Sequence, residues 1–157
     1  MKDQIRIRVS GFIEESVVDG PGIRFVVFTQ GCQRFCPDCH NPQTHDLQGG
    51  TEVTIGEILA KIDSNPLLDG VTFSGGEPFL QAKALAELAE CCHARKLSVV
   101  VYTGFYYEEL LANPDNRDWQ ELLNQTDILI DGPFERDKKT IEIAFRGSSN
   151  QRLFCLS

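Results

Sequence analysis

The chain has 157 residues, of which 41% are apolar and 24% charged, and its net charge is −8. That length suits one domain spanning residues 1–157, and no apolar run approaches the roughly 20 residues of a membrane span. The acidic balance works against nucleic-acid binding, because basic pieces such as Arg136 to Lys139 are short and interrupted by acids. The N-terminal stretch MKDQIRIRVSG has no signal-peptide core, so a cytoplasmic location without membrane attachment is expected.

Residues 4 to 12 alternate polar with apolar and predict a first strand. Gly20-Pro21-Gly22 is a turn signal, and IRFVVFTQ, 23 to 30, has the near-continuous apolar pattern of a strand buried on both faces. Thr54 to Glu57 forms a capping box, with Val53 against Ile58 as a possible hydrophobic staple. Ile55, Ile58, Leu59 and Ile62 share one face, predicting a helix over 55 to 63. A strand follows at 70 to 76, the longest helix at 79 to 96 and another strand at 96 to 104. Shorter helices lie around 107 to 112 and 118 to 124, before a strand at 126 to 132. IEIAF, 141 to 145, and QRLFCL, 151 to 156, are two further strand candidates.

Strands alternating with helices imply βα units around a mostly parallel sheet. A complete eight-fold barrel needs about 200 residues or more, so the expected α/β architecture is an open partial (β/α) barrel of four to five units. On that sheet GCQRFCPDC, SGGEP, YTG and DGPF each follow a strand at its carboxyl end, where such folds build their sites.

The chain has six cysteines, and Cys32, Cys36 and Cys39 crowd one loop as Cys-x3-Cys-x2-Cys. In a reducing compartment this pattern favours metal or redox chemistry over a disulfide. Zinc would need a fourth ligand, which His40 or His45 could supply. Three thiolates on a cubane iron–sulfur cluster would instead leave one iron open to another molecule. The residues alone leave both readings standing.

The cysteine triplet followed by Ser74-Gly75-Gly76-Glu77-Pro78 resembles the radical S-adenosylmethionine superfamily over nearly the whole chain. Val18 to Arg24, Gly31-Cys32 and Cys39-His40-Asn41-Pro42 resemble its glycyl-radical-enzyme activases. Tyr102-Thr103-Gly104, Asp131 to Phe134 and Arg146 to Gln151 resemble in particular the activases of anaerobic (class III) ribonucleotide reductase. The resemblance implies a radical S-adenosylmethionine fold, with a [4Fe–4S] cluster on Cys32, Cys36 and Cys39. The fourth iron would chelate S-adenosylmethionine. The backbone groups of Gly75 and Gly76, with Glu77, would hold its ammonium, and Ser74 is a further cosubstrate candidate. Reductive cleavage to methionine and a 5′-deoxyadenosyl radical would then produce a glycyl radical on the reductase. A carrier such as flavodoxin is the implied electron donor.

Asp38, His40 and Asn41 are the loop's own cosubstrate candidates, His40 near the adenine, and Asp38 stands where many superfamily members carry an aromatic residue. Thr103 and Asp131 are candidates on the later strand ends, Asp131 in a possible cation site. Arg146, Ser148 and Asn150 offer polar groups suited to the cosubstrate. Rival readings are activation of a pyruvate formate-lyase type enzyme, radical chemistry on a small molecule, or a non-catalytic zinc module. Cys91, Cys92 and Cys155 read as packing residues (with terminal exposure open for Cys155), His45 and His93 as solvent-exposed, and Arg24 as part of a turn with a possible functional share.

Overall fold

The computed structural model describes residues 2–31, 49–133, 145 and 150–156. Its seven strands are β1 (Arg6–Ser16), β2 (Arg24–Thr29), β3 (Thr51–Thr54), β4 (Gly70–Gly75), β5 (Ser98–Tyr102), β6 (Ile128–Asp131) and β7 (Arg152–Cys155). The helices are α1 (Ile55–Asp63), α2 (Ala82–Ala94), α3 (Tyr107–Leu111) and α4 (Arg117–Gln125). One sheet runs in the order β3-β1-β2-β4-β5-β6-β7. Strands β2, β4, β5 and β6 are parallel. Antiparallel pairing adds β1 and β3 on one side and β7 on the other. The α/β sheet with parallel strands at its centre is the expected architecture, compatible with a partial open barrel.

Strand alternation divides the sheet into two faces. Phe25, Val27, Val71, Phe73, Val99, Val101 and Leu129 point to the helices and form one core with Ile55, Ile58, Leu59 and Ile62 of α1 and Leu85, Leu88, Ala89 and Cys92 of α2. Each fully buried Ile or Leu contributes about 1.5–3 kcal/mol to that core. The entry into α1 is as expected: the Thr54 hydroxyl accepts from Glu57 N, and the Glu57 carboxylate accepts from Thr54 N, both at 3.1 Å.

Several boundaries differ from the periodicity reading. β1 runs on to Ser16, since pairing with β2 continues past an irregularity between Ile13 and Ser16 to the Ser16–Arg24 pair. The expected long helix is split, with Pro78–Gln81 forming a 3-10 turn before α2. The break falls at Gln81, whose φ of −123° and ψ of 36° are not helical and whose side chain is held by the Arg8 main chain. β3 has no strand-length apolar signal and exists through its register with Arg6 to Val9. IEIAF lies outside the described residues apart from Phe145.

At the end of α2, Lys96 takes a left-handed φ of 63°, the position glycine favours after a helix. Lys96→Gly is expected to stabilise the protein by about 0.5–1 kcal/mol, read as a rise in the urea midpoint.

His93 is a correction to the exposed reading. Its Nε2 lies 2.8 Å from Asp127 Oδ2 and its Nδ1 2.8 Å from Gln125 Oε1, so the side chain joins α2 to the α4–β6 junction. Burial disfavours the charged ring, but the hydrogen bonds to Asp127 and Gln125 outweigh it and raise the His93 pKa. A raised folded pKa contributes stability that is full below the unfolded value of about 6.5 and is lost as pH rises through the folded one. The stability gap between wild type and His93→Gln should therefore be wider near pH 5.5 than near pH 8.5, roughly. An equal gap across that range in thermal melts would contradict the pairing.

On the other face, Arg24, Val26, Thr72, Val100 and Ile130 are buried. Arg24, at the amino end of β2, uses all five of its guanidinium N–H donors on neutral acceptors. Nε donates to Thr72 Oγ1 (2.8 Å), Nη1 to Pro21 O (2.8 Å) and Ser98 Oγ (3.0 Å), and Nη2 to Val71 O (2.7 Å) and Ser98 O (2.9 Å). Burial lowers its pKa, and the fields of Asp127 and Asp69 partly offset this. A Cβ at Gly20 would sit 2.8 Å from the Arg24 side chain, and one at Gly70 2.4 Å from Nη2. The glycines make room for the arginine, and the Gly-Pro-Gly turn closes the amino end of this face.

Candidate active site

The carboxyl ends of the four parallel strands are laced together. Gly75, the last residue of β4, pairs with Thr29, the last of β2. Its φ is +97°, and a Cβ there would lie 2.5 Å from Thr29 N and 2.6 Å from Thr29 O, so only glycine fits. The next residues cross the end of β2: Gly76 N donates to Thr29 O at 2.8 Å and Glu77 N to Gly31 O at 2.7 Å. Cys32 follows Gly31 directly in sequence. The glycine-pair segment is thus hydrogen-bonded to the root of the cysteine loop.

Gln81 ties the same segment to β1: its Oε1 accepts from Arg8 N and its Nε2 donates to Arg8 O, both at 2.8 Å. Ser74 is half-buried, and its carbonyl accepts from Thr29 Oγ1 at 3.0 Å. Toward β5, the Glu77 carboxylate accepts from Thr103 Oγ1 (2.8 Å), Gly104 N (2.7 Å) and Phe79 N (3.0 Å). Glu77 is only 3% exposed. Trp119 of α4 supports both loops, donating from Nε1 to Phe79 O at 3.0 Å while its ring lies 4.9 Å from that of Phe105. The ends of β5 and β6 are joined by Thr103 N to Ile130 O (2.9 Å) and Gly132 N to Phe105 O (2.8 Å).

Asp131 is fully buried, and its carboxylate accepts from Tyr107 N at 2.7 Å and from the Arg152 guanidinium. The same guanidinium pairs with Glu108 and pulls that carboxyl down to about 2. Among the described residues no group of three or more His, Cys, Asp and Glu could hold a metal ion. Asn150 donates to Tyr106 Oη (3.1 Å) and Pro133 O (2.9 Å), and so anchors the DGP turn. Tyr102 donates to Phe145 O at 2.6 Å; burial pushes its phenol pKa up, with Asp19's field adding and Arg24's opposing.

The structure therefore brings together Ser74, Gly75, Gly76, Glu77 and Thr103 beside the start of the cysteine loop, with Asp131 and Asn150 on the β6 side. Cys32, Asp38, Cys36, Cys39, His40, Asn41, Arg146 and Ser148 lie outside the described residues. Sequence reasoning missed Gln81, Trp119, Tyr106 and Arg152. No motif marks them, since each acts through contacts with residues distant along the chain.

The donor chemistry suits an iron–sulfur cluster: three thiols on one loop, rooted against a glycine pair that leaves the backbone accessible. A family model described as a 4Fe-4S single cluster domain matches residues 18–154. The pyruvate formate-lyase-activating enzyme of Clostridium pasteurianum is 41% identical over 117 residues, 69% of this chain and 49% of that protein. The chain thus spans about half the length of that relative. The anaerobic ribonucleoside-triphosphate reductase-activating protein of Salmonella typhi is 30% identical over 153 residues, covering 92% of this chain and 96% of that protein. Its counterpart in Enterobacteria phage T4 is 31% identical over 143 residues, 87% of this chain and 86% of that protein.

Proposed function

Because the chain belongs to the 4Fe-4S single cluster family, alongside activases of the radical S-adenosylmethionine type, we propose that it generates a glycyl radical on an anaerobic ribonucleoside-triphosphate reductase. The observation that carries this reading is the hydrogen bond from Glu77 N to Gly31 O, which puts the glycine-pair segment against the root of the cysteine loop. The near-complete length match to the reductase-activating relatives supports this partner.

The cofactors are a [4Fe–4S] cluster and S-adenosylmethionine. When bound, the cluster would supply the electron for reductive cleavage of the cosubstrate's sulfonium. Cys32, Cys36 and Cys39 are the residues to hold it. Ser74, Gly75 and Gly76 present backbone to the cosubstrate, and Asp38, His40, Asn41, Arg146 and Ser148 are its further contacts. Thr103, Asp131 and Asn150 hold the strand-end loops in place around it. Residues 1–157 act as one radical S-adenosylmethionine domain in the cytoplasm, with reduced flavodoxin or a similar one-electron carrier as donor. Among the described residues no helix is long and apolar enough to cross a membrane.

A second reading, activation of a pyruvate formate-lyase type enzyme, is favoured by the 41% identity to the Clostridium pasteurianum protein. The two separate in one experiment. Reconstituted, reduced protein is incubated with S-adenosylmethionine and either target, and the glycyl radical doublet is sought by electron paramagnetic resonance. A doublet on the reductase alone supports the first reading, and one on the lyase alone replaces it with the second. Purified protein carrying zinc at full occupancy and no iron chromophore after reconstitution would sink both.

A further inference from the structure

The family resemblance places Glu77, together with the Gly75–Gly76 backbone, against the cosubstrate's ammonium, whereas in the structure the Glu77 carboxylate is met by donors of the protein itself. Both carboxylate oxygens are engaged inside the protein, at 3% exposure. Oε1 accepts from Gly104 N at 2.7 Å, and Oε2 accepts from Phe79 N at 3.0 Å and Thr103 Oγ1 at 2.8 Å. The direction of the Thr103 bond is set by its neighbour: Phe105 N donates to Thr103 Oγ1 at 3.1 Å, leaving the hydroxyl hydrogen for Glu77. One carboxylate thus ends the chain Phe105 N–H to Thr103 O–H to Glu77, and also holds Gly104.

The main chain of the same residue reaches in the opposite direction, Glu77 N donating to Gly31 O. Glu77 therefore links the root of the cysteine loop after β2, the glycine pair after β4 and the Thr103–Phe105 loop after β5. Hydrogen bonds to an ionised acceptor are shorter and roughly twice as strong as neutral ones, and burial excludes competing water. A lysine or a neutral amide would not serve here, because three converging donors require an acceptor-only group.

We infer that Glu77 is a positioning residue whose carboxylate, with the Thr103 hydroxyl, sets the spacing between the glycine-pair loop and the β5 loop, so that S-adenosylmethionine meets a preformed backbone cradle. This rests on the functional reading above and adds to it a role for Glu77, which acts on the loops and not on the ammonium, with Thr103 acting through it. Preorganisation of this kind lowers the ordering cost of binding. It weakens cosubstrate affinity when removed without changing how many irons the loop holds.

The test uses the reconstituted full-length protein under anaerobic conditions, with Thr103→Val, Thr103→Ser, Glu77→Gln and wild type compared. Three readouts are taken: iron content, amide hydrogen exchange at residues 79 and 104–105, and S-adenosylmethionine affinity by equilibrium dialysis. Thr103→Val is expected to keep its iron, to exchange those loop amides at least about tenfold faster, and to bind S-adenosylmethionine about tenfold more weakly, while Thr103→Ser restores both. Glu77→Gln should follow Thr103→Val, since its amide N–H₂ faces a donor in either orientation. If Glu77→Gln fails to assemble a cluster, Thr103→Val carries the test, having lost one hydroxyl and no charge. Wild-type affinity in Thr103→Val would overturn the inference. So would loss of affinity in Glu77→Gln alone with loop exchange unchanged, which would mark a direct ammonium contact. Wild-type protein with a full cluster that binds no S-adenosylmethionine would overturn the functional reading and the positioning role together, while unaltered exchange in the variants would separately refute the carboxylate brace.

Discussion

Cys36→Ala protein is expected to leave anaerobic reconstitution without an iron chromophore and to form no 5′-deoxyadenosine, whereas Cys92→Ala keeps both. The thiolate is the ligand form of cysteine, and in the proposed assignment Cys36 is one of the three thiolates that hold the cluster. Cys92 cannot compete for that role. It is 0% exposed among the apolar side chains of α2, and burial first, with the neighbouring Cys91 adding, pushes its thiol up to about 12. Its truncation should cost about 1 kcal/mol of packing and no chemistry. Iron analysis and chromatography of the nucleoside product check both variants. Equal loss in the two would contradict this division of the cysteines.

Arg24→Met is the substitution expected to cost the most stability away from the site, about 3–5 kcal/mol. Methionine keeps much of the volume and the apolar stem, so the loss isolates the guanidinium. Its removal leaves Pro21 O, Val71 O, Ser98 O and two hydroxyls short of a donor at a position that is 0% exposed. Each orphaned buried polar group costs about 1–3 kcal/mol, against a total stability of only about 5–15 kcal/mol. The thermal midpoint of the cluster-loaded protein should fall by about 10 °C. A fall under about 2 °C would show that water or a shifted main chain replaces those bonds. Since Arg24 lies at the amino ends of the strands, residual protein that folds should still bind S-adenosylmethionine with unchanged affinity.

These two residues also show how far the chain could be read before its structure. Cys36 stands out in the sequence because it belongs to three cysteines at short spacing, the pattern from which its proposed role is read. Arg24 was legible only as a neighbour of a turn. Its partners Thr72 and Ser98 lie far along the chain, and no periodicity links an arginine to a serine on the third parallel strand. His93 failed for the same reason: its polar face looks solvated until α4 and β6 bring Gln125 and Asp127 to it. Glu77 was found by motif, yet its direction was not, because a motif names a residue without saying which way its side chain turns.

The sequence by itself determined what local physics controls. The α1 capping box, the buried apolar runs of β2, β4, β5 and β6 and the placement of four unusual segments after those strands all follow from patterns a few residues long. Tertiary structure decided the rest. It set the antiparallel flanks β1, β3 and β7, the use of Gly75 to let β4 close on Thr29, and the inward turn of Glu77 toward Thr103 and Gly104. Those outcomes depend on which donors and acceptors meet when the strand ends come together, and buried polar groups must be satisfied by whatever partner the fold brings within reach.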